Sequence, residues 1–385
     1  MNRLKICLIG GMYEKGGHRK SVLKFAPETT LEEGFRSAGH DVTTLSHYDA
    51  DDFGRHDVVH VHHLSYGAIR MASDLSNTPF LFTAHDASRM NGVPTSFARE
   101  WAMRYVLSRA DGVVSLSENE AQFQRATYPL SAADPERSAH QAIIPNGIDA
   151  TVFPLARSNG AGRNGPWRLL FVGQLIPIKG CELLLRAVAL LQHNIHLSLA
   201  YQNHTMEREL RELAAALGIA DRVSFLGKQE PEQLSALYQS SDLLVLPSET
   251  ESLPSVITEA MFCGLPFVAS KVGGIPDQAG GFGVLSERRT AADLAEAISK
   301  VLDHYPAFEE STTRMGEYAR SRFTIDSMVQ RHLDFYRLLA GTPARRRSVG
   351  LPGVDWLVRT GVHSKGSGRT SAAPAAVKTA MTERT

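Results

Sequence analysis

The chain is predicted to fold as an α/β protein built from two doubly wound parallel sheets, and three observations carry that prediction. Short apolar runs alternate with longer amphipathic stretches, the alternation stops and restarts near the middle of the chain, and 385 residues suffice for two ordinary domains with full cores. The runs are apolar nearly throughout, the pattern of strands covered on both faces, as in parallel sheets.

In chain order, strands are predicted at 4–9 (LKICLI), 41–45, 57–62, 80–84, 112–116 and 142–144, with helical patterns over 21–38 and 97–109. The second set opens at 168–172 (RLLFV) and continues at 196–200, 222–226, 242–246, 266–270 and 282–285, separated by helical patterns at 181–191, 207–217 and 232–239. Residues 154–166 between the sets are rich in Gly, Asn and Pro and read as a flexible connection. This divides the chain into a first domain (1–155), a second domain (166–314) and a helix (315–340) that ends a helical region beginning near 291. The tail, 341–385, is Gly/Ser/Ala/Thr-rich, carries eight Lys/Arg against two acids, and is expected to be disordered.

Composition narrows the function classes. A formal net charge of zero argues against wrapping nucleic acid, and 43% hydrophobic with 21% charged residues describes a soluble globular protein. Cys7, Cys181 and Cys263 form no CxxC pair and sit in apolar contexts, so they read as buried thiols in a reducing compartment. The longest apolar stretch, 183–191, is interrupted by Arg186 and falls short of the ~18 residues that span a bilayer. The N-terminus runs into a strand without signal-peptide architecture, so a cytoplasmic location is expected. His60 and His62 share one face of a strand while His63 points to the other, and no carboxylate nearby in sequence completes a ligand set. No metal site is expected there.

Two segments carry chemistry. Glu251 and Glu259, eight positions apart, follow the apolar run 242–246, the first in a loop at a strand's carboxyl end and the second on the helix that follows. Open α/β sheets bind ligands in that crevice, and carboxylates chelate the vicinal hydroxyls of sugar rings. Gly173-Gln174 closes the first strand of the second domain, and Lys179-Gly180 opens the next helix. The glycine lets backbone approach a ligand, while the cation and the helix N-terminus both favour a diphosphate. A sugar-holding end and a diphosphate-holding end together fit a nucleotide-sugar.

The pattern VGQLIPIKG followed by LPSETESLPSVITEAMFCGLPFVASKVGGIPD resembles the donor-binding half of the retaining family 4 glycosyltransferases, which share the GT-B fold of two Rossmann-like domains facing a deep cleft. GGMYEKGGHRK, DVVHVHH, FLFTAHD and IPNGID extend the resemblance into the first domain, so that it covers about residues 1–340. The resemblance implies that the last helix crosses back to the first domain. It also implies that Glu251 holds the transferred sugar, Glu259 the ribose, and Lys179 the diphosphate. Backbone N–H groups around Leu253, Ser255 and Val256 would reach donor oxygens, and the loop at Gly16-Gly17 would close over the phosphates. His85 would sit beside the reacting sugar, and Lys228, after Leu226-Gly227, would line the base pocket.

Two positions depart from the family pattern. Gln174 stands where many relatives have arginine and removes one diphosphate cation, for which Arg19 or Lys20 offers compensation; Pro254 stands where relatives often have glycine. The function implied is transfer of a hexosyl group from a nucleoside-diphosphate sugar to a glycan, lipid-linked or small-molecule hydroxyl, with retention and without a metal. The alternatives are a nucleotide-sugar epimerase on the same fold or a non-catalytic nucleotide-sugar-binding subunit. An NAD-dependent oxidoreductase is disfavoured because Gly10-Gly11 and Gly16-Gly17 do not space as GxGxxG. The run Arg345-Arg346-Arg347, followed by Trp356, suggests contact with an anionic membrane surface.

Overall fold

The computed structural model describes residues 3–13, 26–47, 49, 52–73, 77–84, 94–128, 139–155 and 165–342. Strands β1 (Lys5–Ile9), β2 (Asp41–Leu45), β3 (Val58–His62), β4 (Phe80–Thr83), β5 (Gly112–Ser115) and β6 (His140–Ile143) form one sheet in the order β2-β1-β3-β4-β5-β6. Strands β7 (Trp167–Gly173), β8 (Ile195–Tyr201), β9 (Val223–Gly227), β10 (Leu243–Leu246), β11 (Phe267–Ser270) and β12 (Val284–Ser286) form the other, in the order β12-β11-β10-β7-β8-β9. Every pairing within both sheets is parallel. The two doubly wound sheets expected from the apolar runs are present, and the central strands are buried along their whole length.

Among the described residues the first sheet is accompanied by α1 (Pro27–Ser37), α2 (Tyr66–Ser73), α3 (Phe97–Leu107) and α4 (Glu118–Thr127). The second carries α5 (Cys181–Leu190), α6 (Glu207–Ala216), α7 (Pro231–Ser240), α8 (Ser255–Phe262), α9 (Ile275–Ala279), α10 (Ala291–Asp303) and α11 (Tyr305–Arg322). Side-chain caps start several of them: Ser96 accepts from Arg99 N, Ser117 from Glu120 N and Thr290 from Asp293 N. The helical region that begins near 291 is three helices rather than one continuous element. It breaks at His304 and again at Phe323–Thr324, where Thr324 caps the final helix, α12 (Ile325–Ala340), by accepting from Ser327 N.

That second break is where the chain crosses back. Helix α11 packs on α8 of the second lobe, whereas α12 packs on α1 of the first. Met328, Val329, Leu333, Phe335, Tyr336 and Leu339 join Leu8, Leu31, Phe35 and Val58 in a single core cluster. Gly34 makes the contact close, since a Cβ there would lie 2.3 Å from Val329 Cγ2. The crossing is pinned to the first one: Ile148 N donates to Phe323 O at 2.8 Å, and Ile325 N donates to Ile148 O at 3.3 Å. The Arg320 guanidinium donates to the carbonyls of Ala150, Phe153 and Phe262, tying the interdomain connection to the end of α8.

Under α12 lies a group of buried histidines. His60 bonds Tyr336 Oη through Nδ1 (2.7 Å) and Thr83 Oγ1 through Nε2 (2.8 Å), and its ring stacks with His332 at 5.5 Å. His60 and His62 are therefore core histidines of β3. Cys7, Cys181 and Cys263 are buried free thiols, and burial pushes the Cys181 thiol up to about 12. No helix among the described residues is long and apolar enough to cross a membrane, and the basic tail with Arg345, Arg346, Arg347 and Trp356 lies outside them.

Burial holds the His332 imidazole down to about 4, from an ordinary 6.5. Between those values the unfolded chain binds a proton that the folded one refuses, so stability is full above pH 6.5 and falls as pH drops towards 4. That difference corresponds to roughly 3 kcal/mol of stability when the site is fully titrated. Thermal midpoints recorded from pH 7.5 to 4.5 should fall less steeply in His332→Phe than in the parent; identical slopes would show that His332 is not the group responsible.

Candidate functional site

The order of the second sheet reverses between β7 and β10, because the chain winds outward from β7 in one direction through β8 and β9 and in the other from β10 through β11 and β12. A crevice opens at such a point because the loops after the two strands run to opposite sides. Both chemistry-bearing segments sit there. Gly173 ends β7, and Pro177–Lys179 form a 3₁₀ turn that closes on Gly180 in the left-handed region (φ 72°). A side chain is excluded at Gly180, where a Cβ would lie 2.2 Å from Pro247 O on the neighbouring loop. Glu249 N donates to Ile178 O at 2.7 Å, so the two loops are interlocked.

The interlock brings Lys179 and Glu251 together. Lys179 Nζ lies 2.6 Å from Glu251 Oε1, with side-chain exposures of 23% and 9%, deep enough for the pair to feel little solvent screening. Ser248, fully buried, donates its hydroxyl to the same Oε1 at 2.7 Å. One carboxylate oxygen is thus held by a cation and a hydroxyl, and the carboxylate has further lone pairs for sugar hydroxyls. Glu251 stands in the loop before α8, four positions ahead of its first residue.

Glu259 has a different setting. It lies on α8 and accepts Tyr238 Oη at 2.7 Å from α7, with Ser255 as a second donor. Desolvation raises its carboxyl above the usual range and the two hydrogen bonds oppose the rise. Ser255 and Val256 open α8, where no earlier helical carbonyl can accept their N–H groups, and Leu253 precedes them. Gln174 follows β7 and is exposed. Lys228 follows β9, the edge strand two positions from β7, and pairs with Glu230 on the surface at 2.8 Å. His85, Gly16 and Gly17, together with Arg19 and Lys20, lie outside the described residues.

The first sheet also reverses direction, between β1 and β3. At that point His63 holds a left-handed backbone (φ 64°), uncommon for a residue with a Cβ and a mark of functional sites. Its Nε2 lies 3.0 Å from Oε1 of Glu28, which is 3% exposed on α1, and Tyr13 Oη donates to Glu28 O at 2.9 Å. The His63–Glu28 and Tyr238–Glu259 contacts are not legible in sequence because their partners lie on different elements, whereas Ser248 stands three positions before Glu251 in one loop.

Residues 155–322 match the family described as Glycosyl transferases group 1, and residues 46–152 match Glycosyltransferase Family 4. A D-inositol 3-phosphate glycosyltransferase of Geodermatophilus obscurus is 34% identical over 303 residues, covering 72% of this chain and 66% of that protein. Its counterpart from Mycolicibacterium smegmatis is 32% identical over 323 residues, covering 77% and 72% respectively. The chain thus spans about two thirds of the length of these relatives. Among solved structures, sucrose-phosphate synthase from Thermosynechococcus elongatus superposes with a TM-score of 0.70 at 21% identity, over 88% of this chain and 99% of that one. Anabaena Alr3699/HepE in complex with UDP and glucose gives 0.67 at 19%, over 87% and 100%.

The left-handed turn supplies a test of the interlock. Gly180→Ala adds about 1–2 kcal/mol of backbone strain and a collision with Pro247 O. Its thermal midpoint is expected several degrees below the parent's; an unchanged midpoint would show that the two loops are not locked together.

Proposed function

The chain belongs to the group 1, family 4 glycosyltransferases, and we propose that it moves a hexosyl group from a nucleoside-diphosphate sugar to an acceptor hydroxyl, with retention and without a metal. The observation that carries this reading is the Lys179–Glu251 pair at the reversal point of the second sheet. Lys179 adjoins both the N-terminus of α5 and the sugar-holding carboxylate, so one cation serves the leaving diphosphate while fixing the position of the Glu251 carboxylate. The α5 N–H groups add partial positive charge where negative charge builds as the glycosidic bond breaks.

Glu251, already tied to Lys179 and Ser248, is an orienting group rather than a nucleophile. In this reading the acceptor attacks from the face the diphosphate leaves, and a departing phosphate oxygen takes the acceptor's proton. Glu259 holds the ribose from α8, with Tyr238 fixing its carboxyl. The curated relatives are named for D-inositol 3-phosphate, which makes a phosphorylated polyol the first acceptor class to test. UDP-, GDP- and ADP-sugars form the donor panel, screened by the rise in thermal midpoint that a native-state ligand produces.

With the donor so identified, Lys179→Ala and Glu251→Ala should each lower kcat/KM by about a hundredfold or more while circular dichroism stays native. Parent-like turnover in both would overturn the site. Donor consumed without acceptor would point to an epimerase.

Gln174 supplies a separate prediction. It is exposed just past the end of β7, in the segment that leads to Lys179, so an arginine there adds a forked cation at the diphosphate end. Calorimetry of Gln174→Arg with the matching nucleoside diphosphate should show affinity raised about tenfold. Equal or weaker affinity would remove Gln174 from the diphosphate subsite.

A further inference from the structure

The loop carrying Glu251 is supported from beneath by the turn between β11 and α9. Gly274 N donates to Ser252 O at 2.9 Å, and Gln278 Nε2 donates to Pro254 O at 2.9 Å and Thr258 Oγ1 at 2.8 Å. Gln278 N in turn donates to Gly274 O, so the turn and the helix move as one piece. Four successive residues, Glu251 to Pro254, therefore hang on two donors of this support.

The support is itself held by the other lobe. Asn119, at the start of α4, donates through Nδ2 to Gly273 O at 2.7 Å and through its backbone N–H to Asp277 Oδ2 at 2.9 Å. Ser117, the cap of α4, closes on the same turn: a Cβ on Gly274 would lie 2.1 Å from Ser252 O and 3.0 Å from Ser117 Cβ and Oγ. A single glycine is thus sandwiched between the first lobe and the loop of Glu251. Beside this junction runs a cavity of about 360 Å³, lined by Pro145, Leu253, Gln278 and Arg322 among others.

We propose that Asn119 is a positioning residue: its clasp on Gly273 and Asp277 sets the loop of Glu251 only when the first lobe is docked, so the sugar-holding carboxylate is aligned by domain closure. The clasp couples the first lobe to the loop of Glu251 through Asn119, the turn of Gly273 and Gly274, and the helix of Asp277 and Gln278. It rests on the donor-site reading above for its consequence in catalysis, and on hydrogen bonds alone for its mechanical part.

The two parts are tested separately. Hydrogen–deuterium exchange of the full chain reads the mechanical part without any substrate. Peptides covering 249–258 should exchange several-fold faster in Asn119→Ala and Asp277→Ala than in the parent, with thermal midpoints within about 2 °C. Asp277→Asn keeps an acceptor for the Asn119 N–H and should restore slow exchange. Parent-like exchange in both alanine variants, or fast exchange in Asp277→Asn, overturns the clasp. For the catalytic part, Asn119→Ala should lower kcat about tenfold while calorimetric affinity for the nucleoside diphosphate stays unchanged. An unchanged kcat together with faster exchange would overturn the coupling to chemistry, whereas failure of Lys179→Ala and Glu251→Ala to affect turnover would overturn the donor site and leave the exchange result standing.

Discussion

The molecule depends on one constraint: the chain must pass between its two sheets twice, and both passages are fastened at the same place. Ile148 on the outward passage and Phe323–Ile325 on the return exchange backbone hydrogen bonds, and Arg320 holds the carbonyls of the outward passage against the end of α8. Charge-assisted donors to several carbonyls at once give such a junction direction as well as strength. The contacts of Asn119 with Gly273 and Asp277 add a further fastening between the two lobes. The buried face of α12 supplies the driving force, because Met328, Leu333 and Tyr336 reach the core of the first sheet only if the return passage is made.

The chemistry sits where the winding of the second sheet reverses. There the turn after β7 and the loop after β10 cross, and Gly180 permits the crossing only because it has no side chain. The crossing makes a close ion pair from residues 72 positions apart, Lys179 and Glu251. In the proposed donor site such a cation serves both the phosphates and the sugar, which is why the exposed Gln174 matters there: no second side-chain cation follows directly from β7. Glu259 is held by Tyr238 and Glu251 by Lys179 and Ser248, so the two carboxylates of the sequence pattern occupy separate hydrogen-bonded settings.

Much of this was legible in the residues. Unbroken apolar runs such as 168–172 and 243–246 identify buried parallel strands, and Gly180 and the Glu251–Glu259 segment mark the loops at their ends. The break at Phe323–Thr324 was not, although Thr324 and Asp326 carry the chemistry of a helix start, because the amphipathic pattern continues across it and masks the change of partner. The pairs His63–Glu28, Tyr238–Glu259 and Asn119–Gly273 were harder still. Each joins residues that only the folded chain brings together, and in the last the acceptor is a backbone carbonyl, on which composition has no hold. Lys228, expected at the base pocket from the family resemblance alone, follows the edge strand β9, a position in the strand order that sequence spacing does not reveal.

The return of α12 to the first sheet has a consequence for how such a protein can be inherited or engineered. The Gly- and Asn-rich connection near residues 155–166 looks like a natural seam for exchanging halves between genes. A crossover there would nonetheless separate the first sheet from Phe335, Tyr336 and Leu339, which are encoded at the far end of the other half yet complete its core. A functional hybrid must therefore be assembled from three segments, with the last helix travelling alongside the first lobe. The unit of exchange is discontinuous, and the connection that looks most permissive marks only one of its two ends.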